Sequence, residues 1–307
     1  MQAPNGTREG DDPACWAAIH GVEGVGPALF RRLLHRFGTA AGVLAQTSEE
    51  AFAPVRGITR EVTAGLLRAR QSLNIVRREV ETLQSRGVRI LRLGAPDYPA
   101  ALLDLPNPPP LLYVVGTIDD RRAPIVSMVG TTKPSDKGRR IAEIFARRFA
   151  EAETTVVSGF AHGIDAAAHR GAFGAGGRSI LCVPYGIRRF KPRMDMPPLQ
   201  EIAERGALVS ECPPDREWSS QAAVARDRII AALGRALFVV ETRRRGGTMH
   251  TVKAASQLGR PLFALKYRQP PESAAGNSVV IARGATAIRT FGDIAAILER
   301  IGGEISA

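Results

Sequence analysis

Apolar residues recur at helical spacing on both sides of Gly24-Val25-Gly26-Pro27 in CWAAIHGVEGVGPALFRRLLHRFG, which predicts a helix, a tight turn and a second helix. A weaker copy follows at PVRGITREVTAGLLRAR, and a longer helix is predicted from about Gln71 to Ser85. Residues 14–85 therefore read as a small all-helical domain, preceded by a polar tail at 1–13 that is expected to be disordered. From about Arg86 the texture changes. Residues 125–129, 154–158, 179–183, 207–210, 236–240 and 261–265 are near-continuous apolar runs bounded by Gly or Pro. Runs apolar on both faces mark strands covered on both sides, as in a parallel sheet. Helical patterns at 137–152, 164–173, 199–205, 222–233 and 249–258 alternate with them. That order predicts an α/β fold over residues 86–290, an extended Rossmann-like, doubly wound, mostly parallel sheet. The proline-punctuated stretch APDYPAALLDLPNPPPLLYVVG joins the two parts and is expected to end in a strand that extends the sheet. Residues 291–307 hold one short helix, GDIAAILERIG.

Composition narrows the class. With 44% hydrophobic and 23% charged residues in 307, the chain is globular in make-up rather than disordered. No apolar run approaches the roughly 18 residues of a spanning helix, and MQAPNGTREGDDP lacks a basic segment leading into an apolar one, so a cytoplasmic protein with no membrane partner is expected. Cys15, Cys182 and Cys212 are too few and too scattered for a disulfide framework or a zinc site. Reduced thiols, no metal and no cofactor are expected. The net charge of +12, carried mainly by arginine, points to a polyanion as partner.

In an open parallel sheet the binding site lies beyond the carboxyl ends of the strands. Four loops there carry candidate chemistry. Gly130–Gly138 is a polar loop entering a helix, where free backbone N–H groups with Thr131, Lys133 and Lys137 would seat an anion; it matches neither GxxxxGK[ST] nor GxGxxG. Ser158-Gly159-Phe160-Ala161-His162-Gly163 ends a strand, its glycines allowing close backbone approach while Ser158 and His162 could donate to phosphate or a base edge. Asp165 and His169, four apart on the following helix, read better as structural groups fixing that helix to the sheet than as an acid-base pair. Arg226 and Arg228 flank Asp227 at a helix start, and their replacement is expected to weaken binding at little cost to stability. Arg243-Arg244-Arg245-Gly246-Gly247-Thr248 is the sharpest feature. Three arginines and a Gly-Gly turn lie between a buried strand and a helix N-terminus, where charge-assisted contacts and the helix dipole converge on one anion. The hairpin over 22–34 resembles a helix-hairpin-helix element, which either offers backbone amides to DNA phosphate or serves only as a packing module.

Taken in order, DYPAALLDLPNPPPLLYVVG, VSMVG, SGFAHGIDAAAHRGAF, GALVSECPP, ARDRIIAAL, GGTMHT and GNSVVIARGA, over about residues 95–288, resemble the DprA (Smf) family of DNA-processing proteins. The resemblance implies an extended Rossmann fold with a SAM-like or hairpin-helix N-terminal module. It also implies a homodimer that binds single-stranded DNA, protects it during uptake and hands it to a RecA-type recombinase, without catalysis. There are departures. Thr131-Thr132-Lys133 stands where the family has an arginine after Val-Gly-Ser. Ala223-Val224-Ala225-Arg226-Asp227-Arg228 replaces Phe-Pro-x-Arg-Asn-Arg and so lacks a ring on which a base could stack. Gly246-Gly247-Thr248 replaces Ser-Gly-Ser, and no C-terminal winged helix like that of many members is expected. Two other readings stay open. Gly246-Gly247-Thr248 also resembles the loop of LOG-type nucleotide phosphoribohydrolases, but the stretch after it holds no acid, and only Glu241 or Glu211 could serve from strand ends. The third is a Rossmann domain that senses a nucleotide without hydrolysing it.

Overall fold

Asp12 opens the first helix by accepting the Ala14 N–H at 2.9 Å, with Pro13 at the first helical position. The computed structural model describes residues 12–120 and 123–302; the tail expected at 1–13 lies almost wholly outside the described residues. Helices α1 (Pro13–His20), α2 (Pro27–Phe37), α3 (Ala40–Leu44), α4 (Arg60–Gln71) and α5 (Leu73–Ser85) follow one another. The hairpin of α1 and α2 closes on Gly24, whose φ of +86° suits glycine, and a Cβ there would meet Val62 of α4 at 2.8 Å. Val22, Val25 and Gly26 donate their N–H groups within the turn itself. The turn thus packs against α4 through Gly24. The weaker second copy is irregular: residues 50–57 form turns only, and the long helix expected from Gln71 starts at Leu73 after a break at Ser72.

The strands are β1 (Val88–Arg92), β2 (Leu111–Gly116), β3 (Ile125–Val129), β4 (Thr155–Gly159), β5 (Ser179–Val183), β6 (Gly206–Ser210), β7 (Ala236–Val239), β8 (Leu262–Leu265) and β9 (Thr286–Ile288). They form one sheet in the order β1-β2-β6-β5-β4-β3-β7-β8-β9. From β6 to β9 the pairs are parallel, whereas β2 joins β6 antiparallel (Tyr113 opposite Ser210) and β1 joins β2 likewise. The intervening helices are α6 (Asp136–Glu151), α7 (Ile164–Gly174), α8 (Leu199–Glu204), α9 (Ser220–Leu233), α10 (Gly247–Gln257), α11 (Asn277–Ala282) and α12 (Ile294–Gly302). The Rossmann-like α/β architecture is thus as its periodicity predicts. Two strands escaped that reading. β1 is an edge strand with only Val88 and Leu91 buried, and β9 is three residues long.

β3 shows why its run is apolar throughout. Ile125 and Val129 pack under α9 and α10 with Val157, Ile230 and Val239. Val126 and Met128 face the other layer with Phe145, Phe149 and Phe238. Ser127, fully buried, hands its hydroxyl proton to the Ile230 carbonyl at 2.7 Å, so no polar atom is stranded. The helical segment is not a separate bead. Trp16, Phe30, Leu33 and Leu66 continue into one apolar cluster with Leu111, Tyr113 and Leu181 of the sheet. Among the described residues no helix is long and apolar enough to cross a membrane.

The three phenylalanines make the sheet's second layer: Phe238 lies 4.8 Å from Phe145 and 6.5 Å from Phe149, ring centre to ring centre. Phe238→Ala is expected to cost about 3–5 kcal/mol, read as a lower urea midpoint at unchanged slope.

Candidate nucleic-acid interface

Chain order reverses at β3, which has β4 on one side and β7 on the other, so the loops leaving β3 and β7 diverge and leave a crevice. What fixes those loops is Glu241, the first residue after β7 and its neighbour Val240. Its carboxylate is fully buried and accepts four hydrogen bonds, from Ser135 N–H (2.9 Å), Ser135 Oγ (2.6 Å), Tyr267 OH (2.6 Å) and Ser273 Oγ (2.8 Å). Its carbonyl takes the Thr131 N–H at 2.7 Å. Gly138 leaves the space, since a Cβ there would sit 2.3 Å from the carboxyl. Ser135 in turn caps α6 by accepting the Gly138 N–H at 2.9 Å.

Asn277 holds the other loop. Its amide donates to the carbonyls of Val240 and Leu265, both at 2.8 Å, and its oxygen accepts the Thr242 N–H at 2.9 Å. Gly276 N–H adds a bond to Thr242 O at 2.7 Å. From this anchored base Arg243, Arg244 and Arg245 run out into solvent, and among the described residues their side chains have no hydrogen-bond or ion-pair partner. Gly246 then adopts φ 142°, a region that favours glycine, and α10 starts at Gly247 with no side chain capping it. Its first N–H groups are left open to a ligand.

The result is a cleft of about 350 Å³ that brings together Thr131 and Lys133 with Arg226, Arg243, Arg245, Gly246, Gly247 and Thr248. The other residues singled out from sequence stand elsewhere. Arg244 is exposed beside the cleft without lining it, and Lys137 lies over the Tyr267 ring at 5.7 Å. Ser158 is buried and donates to the Met128 carbonyl at 2.6 Å. Gly159 is buried too, and His162 is exposed in the turn before α7. Arg228 pairs closely with Glu211 and donates to Asn107 O at 3.0 Å, on the far side of α9.

Arg226 departs from its expected role as a removable surface cation. It is 8% exposed, donates Nη1–H to the Cys182 carbonyl at 2.8 Å and lies 3.3 Å from Asp227. The absence of a side chain at Gly159 makes this possible, for a Cβ there would fall 2.0 Å from Arg226 and 2.4 Å from Asp165. Burial pushes the Asp165 carboxyl up to about 6 and that of Asp227 up to about 7, with Arg226 pulling both down. The cleft thus has a buried Asp–Arg–Asp floor beneath its free cations. Asp165 and His169 do secure α7 to the sheet, but through separate partners: His169 donates Nε2–H to Gly159 O at 2.5 Å and meets Ser179 Oγ at 2.7 Å through Nδ1. Burial lowers the imidazole to about 4, so it stays neutral.

Sequence reasoning overlooked Val224, Ala161 and Thr242 in the lining, and the part played by Asp165 and Asp227 in the floor. Val224 lies two residues before Arg226 on a helix whose later apolar positions, Ile229 to Leu233, are buried.

A doubly wound sheet with cations that are unpaired among the described residues, gathered at its switch point, defines the Rossmann-like class. The chain belongs to the DNA recombination-mediator protein A family, whose family model matches residues 89–299. It is 32% identical to Protein Smf of Synechocystis sp. over 294 residues, covering 94% of this chain and 73% of that one. With DNA processing protein DprA of Bacillus subtilis it shares 27% identity over 218 residues, covering 71% and 73%. The fold matches the solved structure of DprA from Streptococcus pneumoniae with a TM-score of 0.75 at 24% identity, over 92% of this chain and 97% of that chain. It also matches DNA processing protein A from Helicobacter pylori, a protein with a described single-stranded DNA binding mode, with a TM-score of 0.61 at 26% identity, over 69% and 95%. The family indicated by SGFAHGIDAAAH and its collinear companions is therefore the right one.

The floor carries a pH signature. An unfolded aspartate titrates near 4, so between about pH 4 and 7 the folded chain keeps protons that the unfolded chain has lost, and this contribution to stability falls as pH rises. Asp227→Asn removes one such group. The melting temperature of the native chain minus that of the variant is expected to be larger at pH 5.5 than at pH 8; a difference that does not move with pH would mean an ordinary carboxyl at Asp227.

Proposed function

We propose that this chain binds single-stranded DNA, with phosphates seated in the cleft between the loops that follow β3 and β7. One observation carries the reading: Lys133, Arg243 and Arg245, all exposed and without an ion-pair partner among the described residues, line one cleft with the uncapped start of α10. Their charge is offset only in part from below, because the two carboxylates of the floor share Arg226 and burial holds both toward the protonated form. A volume of about 350 Å³ is of the size of a nucleotide or two. Membership of a recombination-mediator family supports extending the reading to protection of the strand and its transfer to a RecA-type recombinase by a cytoplasmic homodimer. In this reading residues 14–85 form the helical module and 86–290 the DNA-binding domain. The hydrolase alternative is disfavoured by the state of its two acids. Glu241 is saturated by hydrogen bonds away from the cleft, and Glu211 is buried against Arg228.

Arg243→Ala combined with Arg245→Ala is expected to weaken oligo-dT binding at least tenfold without moving the melting temperature, since neither side chain supports the fold. In the same titrations log affinity against log salt should become shallower by about 0.7 for each phosphate that the variant no longer neutralises. Undiminished binding by the double variant would remove this loop as the seat. Arg226→Ala should instead lower the melting temperature by several degrees, because it leaves two buried carboxylates without their counter-ion.

A further inference from the structure

Trp218 is 64% exposed, although a tryptophan ring normally withdraws about 150–250 Å² from water on folding. It stands on the loop between β6 and α9, which is anchored on both sides. Gly186 N–H donates to Arg216 O at 2.8 Å, Arg216 N–H to Pro213 O at 2.9 Å, and Arg188 N–H to Pro214 O at 3.1 Å. The Arg188 side chain reaches Asp215 at 2.8 Å. The ring is thus displayed from an anchored backbone, so that covering it does not require the loop to be ordered.

Its position relative to the cleft gives it a use. Trp218 directly precedes Ser219, whose hydroxyl caps α9 by accepting the Ala222 N–H at 3.1 Å. The first turns of α9 form a ridge between two concavities. Ala223, Val224 and Arg226 face the cationic cleft, while Gln221, Ala222 and Ala225 face a groove of about 1050 Å³ that runs to the Gly24–Pro27 turn. Trp218 lies in the chain just before this ridge, between Arg216 and Ser219, which line the groove. Val224, itself 44% exposed, lies six residues further along the chain, in the second turn of α9. The acids beside the ring are occupied, Asp215 by Arg188 and Glu217 by Arg189 at 3.4 Å, whereas Arg216 is exposed and among the described residues has no ion-pair partner. A flat apolar face in a cationic setting, just before the helix that borders the cleft, suits an unpaired nucleobase.

We propose that Trp218 is a stacking platform for an unpaired base of a single strand that leaves the cleft over the start of α9. This rests on the single-stranded DNA reading of the cleft. The ring adds affinity through the π-face of whichever base arrives, without reading its edge, so the interaction is tolerant of sequence.

The test uses the full chain, with labelled oligo-dT followed by anisotropy and, in parallel, by intrinsic tryptophan fluorescence. The chain has two tryptophans, and Trp16 is 4% exposed in the helical core, so Trp218 reports on the ligand. Expected are quenching of the native chain on binding, an affinity at least fivefold weaker with no quenching for Trp218→Ala, and near-native affinity for Trp218→Phe. An abasic strand, which keeps the phosphates, should bind native chain and Trp218→Ala alike and quench neither. If the native chain binds oligo-dT but Trp218→Ala binds as tightly, the platform is wrong and the cleft stands. Should the native chain fail to bind any strand, the cleft reading falls and the platform with it. A Trp218→Ala chain with altered sedimentation and unaltered affinity would reassign the ring to association between chains and overturn the proposal.

Discussion

A carboxylate without access to water is tolerable only when its lone pairs are filled. Glu241 meets that condition with donors from three separate stretches of chain: the start of α6, the exit of β8 and the turn before α11. Because those stretches leave the sheet in different directions, their convergence on one carboxyl sets the separation of the two loops that flank the switch point. Asn277 does the same for the backbone with a neutral amide. The Arg243–Arg245 segment can therefore leave its side chains free of internal partners and still be presented at a fixed place. Rigidity resides in buried polar knots beneath the surface, and the exposed arginines are left without internal partners among the described residues.

The arginines divide into two populations by the same logic. Arg226 and Arg228 are held by carboxylates and carbonyls and belong to the architecture, although they sit within a motif that reads as cationic. Arg243 and Arg245 carry the unneutralised charge. A strongly positive total of +12 does not distinguish these uses, and mutating the motif as a block would confound a loss of fold with a loss of binding.

Most of the fold was legible because it rests on local periodicity: runs apolar on both faces can only be covered strands, and their alternation with amphipathic helices leaves few topologies. β1 and β9 were not legible, being respectively half-exposed and very short. The site was legible in part, for loops after parallel strands converge whatever their sequence, which placed Thr131, Lys133 and the Arg-Gly-Gly loop together. Burial of Arg226 depends on a carbonyl of Cys182, 44 residues away, and on the missing side chain of Gly159. No window along the chain shows that three-body arrangement. Ser158 and Gly159 read as ligand groups for a similar reason, since a glycine that makes room for an internal guanidinium looks, in sequence, like one that makes room for a phosphate. Trp218 passed unnoticed because exposure is a property of the folded chain.

The apolar cluster that runs from Trp16 and Phe30 into Tyr113 and Leu181 has a mechanical corollary. A helical segment fused to the sheet through shared interior cannot swivel about a linker, so the groove beside Gly24–Pro27 and the crevice beyond β3 keep a constant offset. Anything long enough to touch both surfaces meets a stiff jig, and must itself supply the bending.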